Sequence, residues 1–155
     1  MADQVTAIGD SVMLDYEAAL TQDIPGVHVT AAVSRGWTTG ERILAQLESA
    51  HALGAVVIVG LATNGPVSSA QLTSMLSLLS GASRVVLVNT RVDRTWQDSN
   101  NAVLAEGVAR DPRAVVVNWY ALEVEHPDWL YPTQAHLPID GPGAQALAGL
   151  VAAAA

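Results

Sequence analysis

The chain has no cysteine. That excludes disulfide staples, thiolate catalysis and Cys-based zinc sites, and it leaves the redox compartment open. It also has no lysine: seven arginines face 15 acidic side chains, for a formal net charge of −8. A chain of that sign repels phosphate backbones and anionic bilayers, which argues against nucleic acid and membrane-surface partners. Small neutral or sugar-like substrates suit it better. No apolar run approaches the roughly 20 residues of a membrane span, and Met1-Ala2-Asp3-Gln4 does not open a signal peptide. The expectation is either a cytoplasmic protein or an extracytoplasmic domain cut from a longer exported or membrane-anchored one.

Several motifs are missing as well. There is no GxSxG, so the nucleophile elbow of the α/β-hydrolases has no support. Without a Walker lysine or a GxGxxG, nucleotide binding has no motif behind it. No His/Asp/Glu cluster has a credible metal spacing; His126 with Asp128 comes nearest and reads as a pair within a loop.

What is present is a compact globular composition, half apolar and 14% charged, in 155 residues, about the size of one ordinary domain. Its organising stretch is Val5-Thr6-Ala7-Ile8-Gly9-Asp10-Ser11-Val12-Met13-Leu14. A short strand-like run breaks at Gly9 and continues into helical spacing at Leu14, Ala18, Ala19 and Leu20. Ser11 therefore falls just past a strand end, where open α/β sheets bind ligands and where unpaired N–H groups of the next helix can stabilise an oxyanion. The plainer reading is that Asp10 or Ser11 only caps the helix.

Onward, Pro25-Gly26 turns the chain into a strand over 27–33, and the loop 34–40 leads to a helix with apolar positions at Ile43, Leu44, Leu47 and Ala50. His28 and His51 read as surface or edge residues. Unbroken apolar runs at 54–61, 85–88 and 114–117 have the pattern of strands buried on both faces. Helices are expected from about Ser68 to Leu79, from Gln97 to Ala109, and after Gly141-Pro142-Gly143. Strand and helix alternate five times with short connections, which predicts one α/β domain over residues 1–155 with a mainly parallel five-stranded sheet between helical layers. The irregular stretch 125–138 is long enough to suggest a functional loop.

The polar residues hardest to explain by packing fall at strand ends: Ser11, Ser34-Arg35, Asn64, Asn89 to Arg91, and His136. In a parallel sheet these ends share one edge. Ser11 and His136 then make a plausible nucleophile and base, since a serine hydroxyl needs a neighbouring imidazole to take its proton. Asn64 offers an N–H donor for an oxyanion.

These residues resemble a known family. Gly9-Asp10-Ser11-Val12-Met13 looks like the first block of the SGNH, or GDSL-type, hydrolases, and Thr63-Asn64-Gly65 resembles their asparagine block. More narrowly, Val33-Ser34-Arg35, Thr63-Asn64-Gly65, Asn89-Thr90-Arg91-Val92, Trp96-Gln97 and His136-Leu137 together resemble the extracytoplasmic SGNH domain of acyltransferase-3 proteins of the peptidoglycan O-acetyltransferase type. The resemblance runs from about Val5 to the closing helix. It implies a flavodoxin-like three-layer fold and no metal or organic cofactor. It also implies an acyl-enzyme on Ser11, His136 as general base, and an oxyanion hole from the Ser11 N–H, the Asn64 side chain and a second-block N–H at Ser34, where glycine is common. The partners implied are a small acyl donor and a sugar or polysaccharide acceptor, with a membrane acyltransferase domain in the parent protein.

Two positions depart from that pattern. The family's acid stands three residues before the histidine, and here that position is Thr133; a glycine usually precedes Thr-Asn-Gly, and here it is Ala62. Loss of the acid costs on the order of 10⁴ in turnover in the serine-protease template. The reading preferred here is a Ser-His dyad with His136 oriented by the carbonyl or hydroxyl near Thr133, and Asp128 is the alternative. Trp37 and Trp129 lie in loops expected to flank the cleft, where an indole stacks on sugar or packs in the core. Arg35 and Arg91 either pair with loop carboxylates or meet an acidic substrate. Arg35, Trp37, Ala62 and Arg91 are thus the substrate-binding candidates. Two functions remain: a serine esterase or O-acyltransferase acting on acetyl esters, or a non-catalytic carbohydrate-binding domain that kept the fold.

Overall fold

The computed structural model describes residues 4–132 and 135–155. Its elements alternate as β1 (Val5–Gly9), α1 (Ser11–Asp23), β2 (His28–Ala31), α2 (Trp37–Ser49), β3 (Val56–Gly60), α3 (Ser69–Leu78), β4 (Arg84–Val88), α4 (Gln97–Val108) and β5 (Ala114–Val117), then α5 (Trp119–Glu125), one 3-10 turn (Pro127–Trp129) and α6 (Pro142–Ala154). The five strands pair in parallel in the order β2-β1-β3-β4-β5. This is the expected sheet. Among the described residues, no helix is long and apolar enough to cross a membrane.

The apolar strands are covered on both sides. Ile8, Val57, Val59, Val85 and Leu87 point to a core shared with Leu44 of α2, Leu72 and Met75 of α3 and Leu104 of α4. Their neighbours along the strands, Ala7, Ile58, Val86 and Val117, point the other way, into a core with Met13, Tyr16 and Leu20 of α1, Trp119 of α5 and Leu147 and Val151 of α6. The period-two alternation of Cβ directions thus produces three layers from continuous apolar runs.

That layering decides where the site forms. β2, β1 and β3 are adjacent, so the loops leaving their carboxyl ends meet on one edge. α6 packs beside α1 in the same layer, which brings the chain just ahead of α6 to the start of α1.

Two boundaries differ from the sequence expectation. β2 ends at Ala31, because Arg35 donates its N–H to Ala32 O and closes a turn over 32–35. A helix not anticipated, α5, starts directly after β5. The Asn118 side chain accepts the Ala121 N–H at 3.1 Å, an N-cap, and Trp119 and Leu122 then fall on the face toward the core.

Candidate active site

Asp10 and Ser11 divide the two roles that the sequence left open between them. Asp10 is the N-cap of α1, its Oδ1 accepting the Val12 N–H at 2.9 Å. Ser11 is the first helical residue, and its own N–H has no hydrogen bond within the described residues. The Asp10 N–H donates to Gly60 O at 3.1 Å, fixing the end of β1 against β3. The helix can leave β1 this abruptly because Gly9 has no side chain: a Cβ there would lie 2.6 Å from Met13 Sδ.

Asp10 is almost wholly buried, at 1% exposure. Burial pushes its carboxyl up from 3.8 to about 6, against hydrogen bonds from Val12 and Thr63 and the nearby His136, which pull it down.

His136 arrives from the far end of the chain. Leu137 beside it is buried against α6, and Gly143 makes the seat: a Cβ there would stand 2.8 Å from Leu137 Cδ2. The His136 carbonyl accepts the Tyr131 N–H at 2.9 Å. So placed, His136 Nε2 lies 3.4 Å from Ser11 Oγ. Its other nitrogen, Nδ1, lies 2.7 Å from Asp15 Oδ2, and the same oxygen accepts the Leu137 N–H at 3.1 Å.

Asp15 is the residue that the sequence reading missed. Thr133, the expected position of the acid, lies outside the described residues. Asp128, the alternative, is in the 3-10 turn, whereas the carboxylate found against the imidazole belongs to α1. A signal did exist: Ser11 and Asp15 are four apart, one turn along the same helix face.

Ser34 and Asn64 stand in the loops that leave β2 and β3, the strands on either side of β1. Ser34 is the third residue of the turn after β2 and has φ of 61°, the left-handed region that favours glycine. Asn64, in the loop after β3, donates one side-chain N–H to Arg35 O at 3.2 Å, which ties the β2 and β3 loops together; its second N–H has no partner among the described residues. The Asn64 loop is itself held by Asn100 of α4, fully buried, which donates to Ala62 O at 3.0 Å and Gly65 O at 2.8 Å and accepts from Val67 N–H at 2.7 Å. Trp96 Nε1 donates to Thr63 O at 3.0 Å.

The substrate-binding candidates fare differently. Trp37 is 5% exposed and packs in the core, so stacking on a sugar is corrected to a packing role. Trp129 stacks against His126, with centroids 3.8 Å apart, and against Trp119 at 6.4 Å. Arg35 is half-buried, and its guanidinium donates to Thr30 O at 2.9 Å and Thr30 Oγ1 at 3.1 Å, bracing the end of β2. Arg91 pairs with the buried Glu123 at 2.6 Å and lies over the Tyr120 ring at 5.9 Å. Arg91 and Ala62 also line a small cavity of about 20 Å³ beside Asp10, at the ends of β3 and β4. No group of three His, Asp or Glu among the described residues could hold a metal ion.

No protein-family model matches the chain. Curated relatives do: it is 34% identical over 134 residues to peptidoglycan O-acetyltransferase OatA of Listeria monocytogenes, covering 86% of this chain and 21% of that protein. It is 30% identical over 145 residues to O-acetyltransferase OatA of Staphylococcus aureus, covering 93% of this chain and 24% of that protein. The chain thus spans between a fifth and a quarter of the length of these relatives. Among solved structures, the C-terminal catalytic domain of peptidoglycan O-acetyltransferase A of Streptococcus pneumoniae superposes with a TM-score of 0.89 at 26% identity, over 99% of this chain and 93% of that one. An acylhydrolase fold from Bacteroides fragilis superposes at 0.73 with 15% identity, a likeness of fold alone.

The parallel sheet, the serine at the head of α1 and the histidine before α6 define an SGNH-type α/β architecture. Within that architecture, the chain is a homologue of the C-terminal domains of peptidoglycan O-acetyltransferases.

Proposed function

We propose that this chain is a serine esterase or O-acyltransferase that handles acetyl esters of cell-wall carbohydrate through an acyl-Ser11 intermediate. The observation that carries the reading is the alignment of Ser11 Oγ with His136 Nε2 at 3.4 Å, on a helix start with a free N–H. Contacts of this kind are commonly loose before substrate binds and shorten in the reacting complex.

In the first half-reaction Ser11 Oγ attacks the acyl carbonyl carbon while His136 Nε2 takes its proton. The oxyanion that forms is met by N–H groups of Ser11 and Ser34 and by the second side-chain N–H of Asn64, which leave three adjacent strands. Collapse breaks the bond to the leaving oxygen, which receives the proton from His136. In the second half, water or a sugar hydroxyl gives its proton to His136 and attacks the acyl carbon. Ser11 Oγ then leaves and recovers the proton, so the enzyme is restored.

The sequence relatives support the acetyl group and the cell-wall acceptor, since two are named peptidoglycan or O-acetyltransferases. The solved relative carries a methylsulfonyl adduct, which suits a domain with an activated nucleophile. The relatives are four to five times longer than the matched region, which fits a membrane acyltransferase domain as partner in a parent protein and an extracytoplasmic place for this one. The other reading, saccharide binding without turnover, rests on Thr133 at the acid's usual position. A carboxylate at 2.7 Å from His136 Nδ1 favours turnover.

The test is intact-protein mass after incubation with an aryl acetate or a sulfonyl fluoride. One acyl or sulfonyl adduct on the parent protein and none on Ser11→Ala is expected. An adduct that forms equally on both proteins, or on neither, removes the reading.

A further inference from the structure

We infer that Asp15 is the carboxylate that orients His136 and balances its charge, so that the triad acid comes from the nucleophile's own helix rather than from the histidine loop. This rests on the acyl-Ser11 reading above.

The geometry is that of a relay through one ring. His136 presents Nε2 to Ser11 Oγ at 3.4 Å and Nδ1 to Asp15 Oδ2 at 2.7 Å. A carboxylate accepts only, so the proton between them sits on Nδ1 and the lone pair on Nε2 faces the serine, the tautomer a general base needs. The same carboxylate oxygen accepts the Leu137 N–H at 3.1 Å, so Asp15 fixes the ring and the backbone that carries it. Its side chain is 16% exposed, against 39% for His136, so the pair meets water from the imidazole side.

The helix makes this substitution of position workable. Ser11 and Asp15 are one turn apart on α1, about 6 Å along its axis. An imidazole spans that gap, with one nitrogen near each end. Ser11 and Asp15 are thus held at a fixed distance by backbone hydrogen bonds, and the histidine only has to dock between them. In this arrangement Asp15 acts through His136 and is a positioning residue.

The experiment uses the whole chain, an aryl acetate and three substitutions, with Ser11→Ala as the separate control for the acyl-enzyme itself. Asp15→Asn keeps shape and the Leu137 contact but removes the charge. The expected result is an acylation rate on Ser11 lower by about 10²- to 10⁴-fold, KM little changed and thermal midpoint within a few degrees of the parent. In the parent, proton NMR shows a strongly deshielded Nδ1 proton, which is lost in Asp15→Asn and in His136→Asn. Thr133→Asp, which offers a carboxylate at the family's usual position, accelerates Asp15→Asn but leaves the parent's rate within a few-fold. A merely structural Asp15 would lower the thermal midpoint without moving that resonance. The inference is overturned if Asp15→Asn acylates at the parent's rate, if the parent lacks the deshielded proton, or if Thr133→Asp accelerates both backgrounds equally.

Discussion

Asp10 gives the sharpest test of the physical account, because its burial predicts a pH dependence with a definite sign. The carboxyl is 1% exposed and lies beneath the Ser11 corner, where burial raises it from 3.8 to about 6. The native state therefore holds the proton more tightly than the unfolded chain does. The stabilisation from that proton is complete below pH 3.8 and is lost as pH rises through about 6. The gap between the two values is worth about 3 kcal/mol at 1.36 kcal/mol per pH unit. Above about pH 6.5 the folded protein thus carries an ionised, poorly solvated carboxylate at that cost.

Asp10→Asn removes the titration while preserving the cap, since asparagine caps as well as aspartate and can still accept the Val12 N–H. Thermal unfolding of parent and variant is followed by circular dichroism at half-unit steps from pH 3.5 to 8. Taking the difference at each pH cancels every titrating group that is not coupled to Asp10. The variant should gain on the parent steadily between pH 4 and 6, by about 3 kcal/mol in all, and the difference should then level off. For a chain of this size that is a relative shift of about 6–12 °C in Tm. A difference that stays flat across pH 4–7 would mean that Asp10 ionises like a surface carboxylate, and the account of its burial would be refuted.

Other substitutions test the loops that hold the site. Ser34→Gly relieves a residue at φ 61° and should raise stability by about 1 kcal/mol, read from the denaturant midpoint, with the acylation rate kept because the backbone N–H stays. Asn100→Ala breaks three hydrogen bonds to the Ala62–Val67 loop and should cost about 2–4 kcal/mol, with the Ser11 acylation rate falling more than the midpoint alone predicts because Asn64 loses its support. Arg91→Ala leaves Glu123 buried without its partner, so it should destabilise by about 2 kcal/mol or more. Adding Glu123→Gln should recover much of that loss, and additivity of the two changes in a double-mutant cycle would show that the pair is not coupled.

Most of the fold was legible because its strands are apolar runs. Two of them, ending near Gly60 and Val88, are buried on both faces and the third, ending near Val117, is half-buried at the sheet edge, and no alternation is needed to recognise a strand sandwiched between helices. The helix α5 was not legible as such. Trp119 to Glu125 is short, and its signal is a single asparagine cap after a strand, easily taken for a loop. The two roles open to Trp37 could not be separated for a related reason: an indole at the head of a helix has the same sequence context whether the helix turns it into the core or into a cleft. Only its burial within the core under α2 decides.

The acid shows a deeper limit and a usable rule. Sequence reasoning looked for a carboxylate near His136 in the chain, as the family pattern sets it three residues away, and so settled on Thr133 or Asp128. But an imidazole has two nitrogens, and the one facing away from the serine can be met from any element that packs nearby. α6 lies beside α1, so the stretch ahead of α6 brings His136 within 2.7 Å of a carboxylate in the second turn of α1. A carboxylate four residues after the nucleophile is therefore a candidate wherever that nucleophile starts a helix. The spacing Ser11-x-x-x-Asp15 was present in the sequence from the start. What it lacked was the knowledge that a parallel sheet in the order β2-β1-β3-β4-β5 returns the last helix to the first.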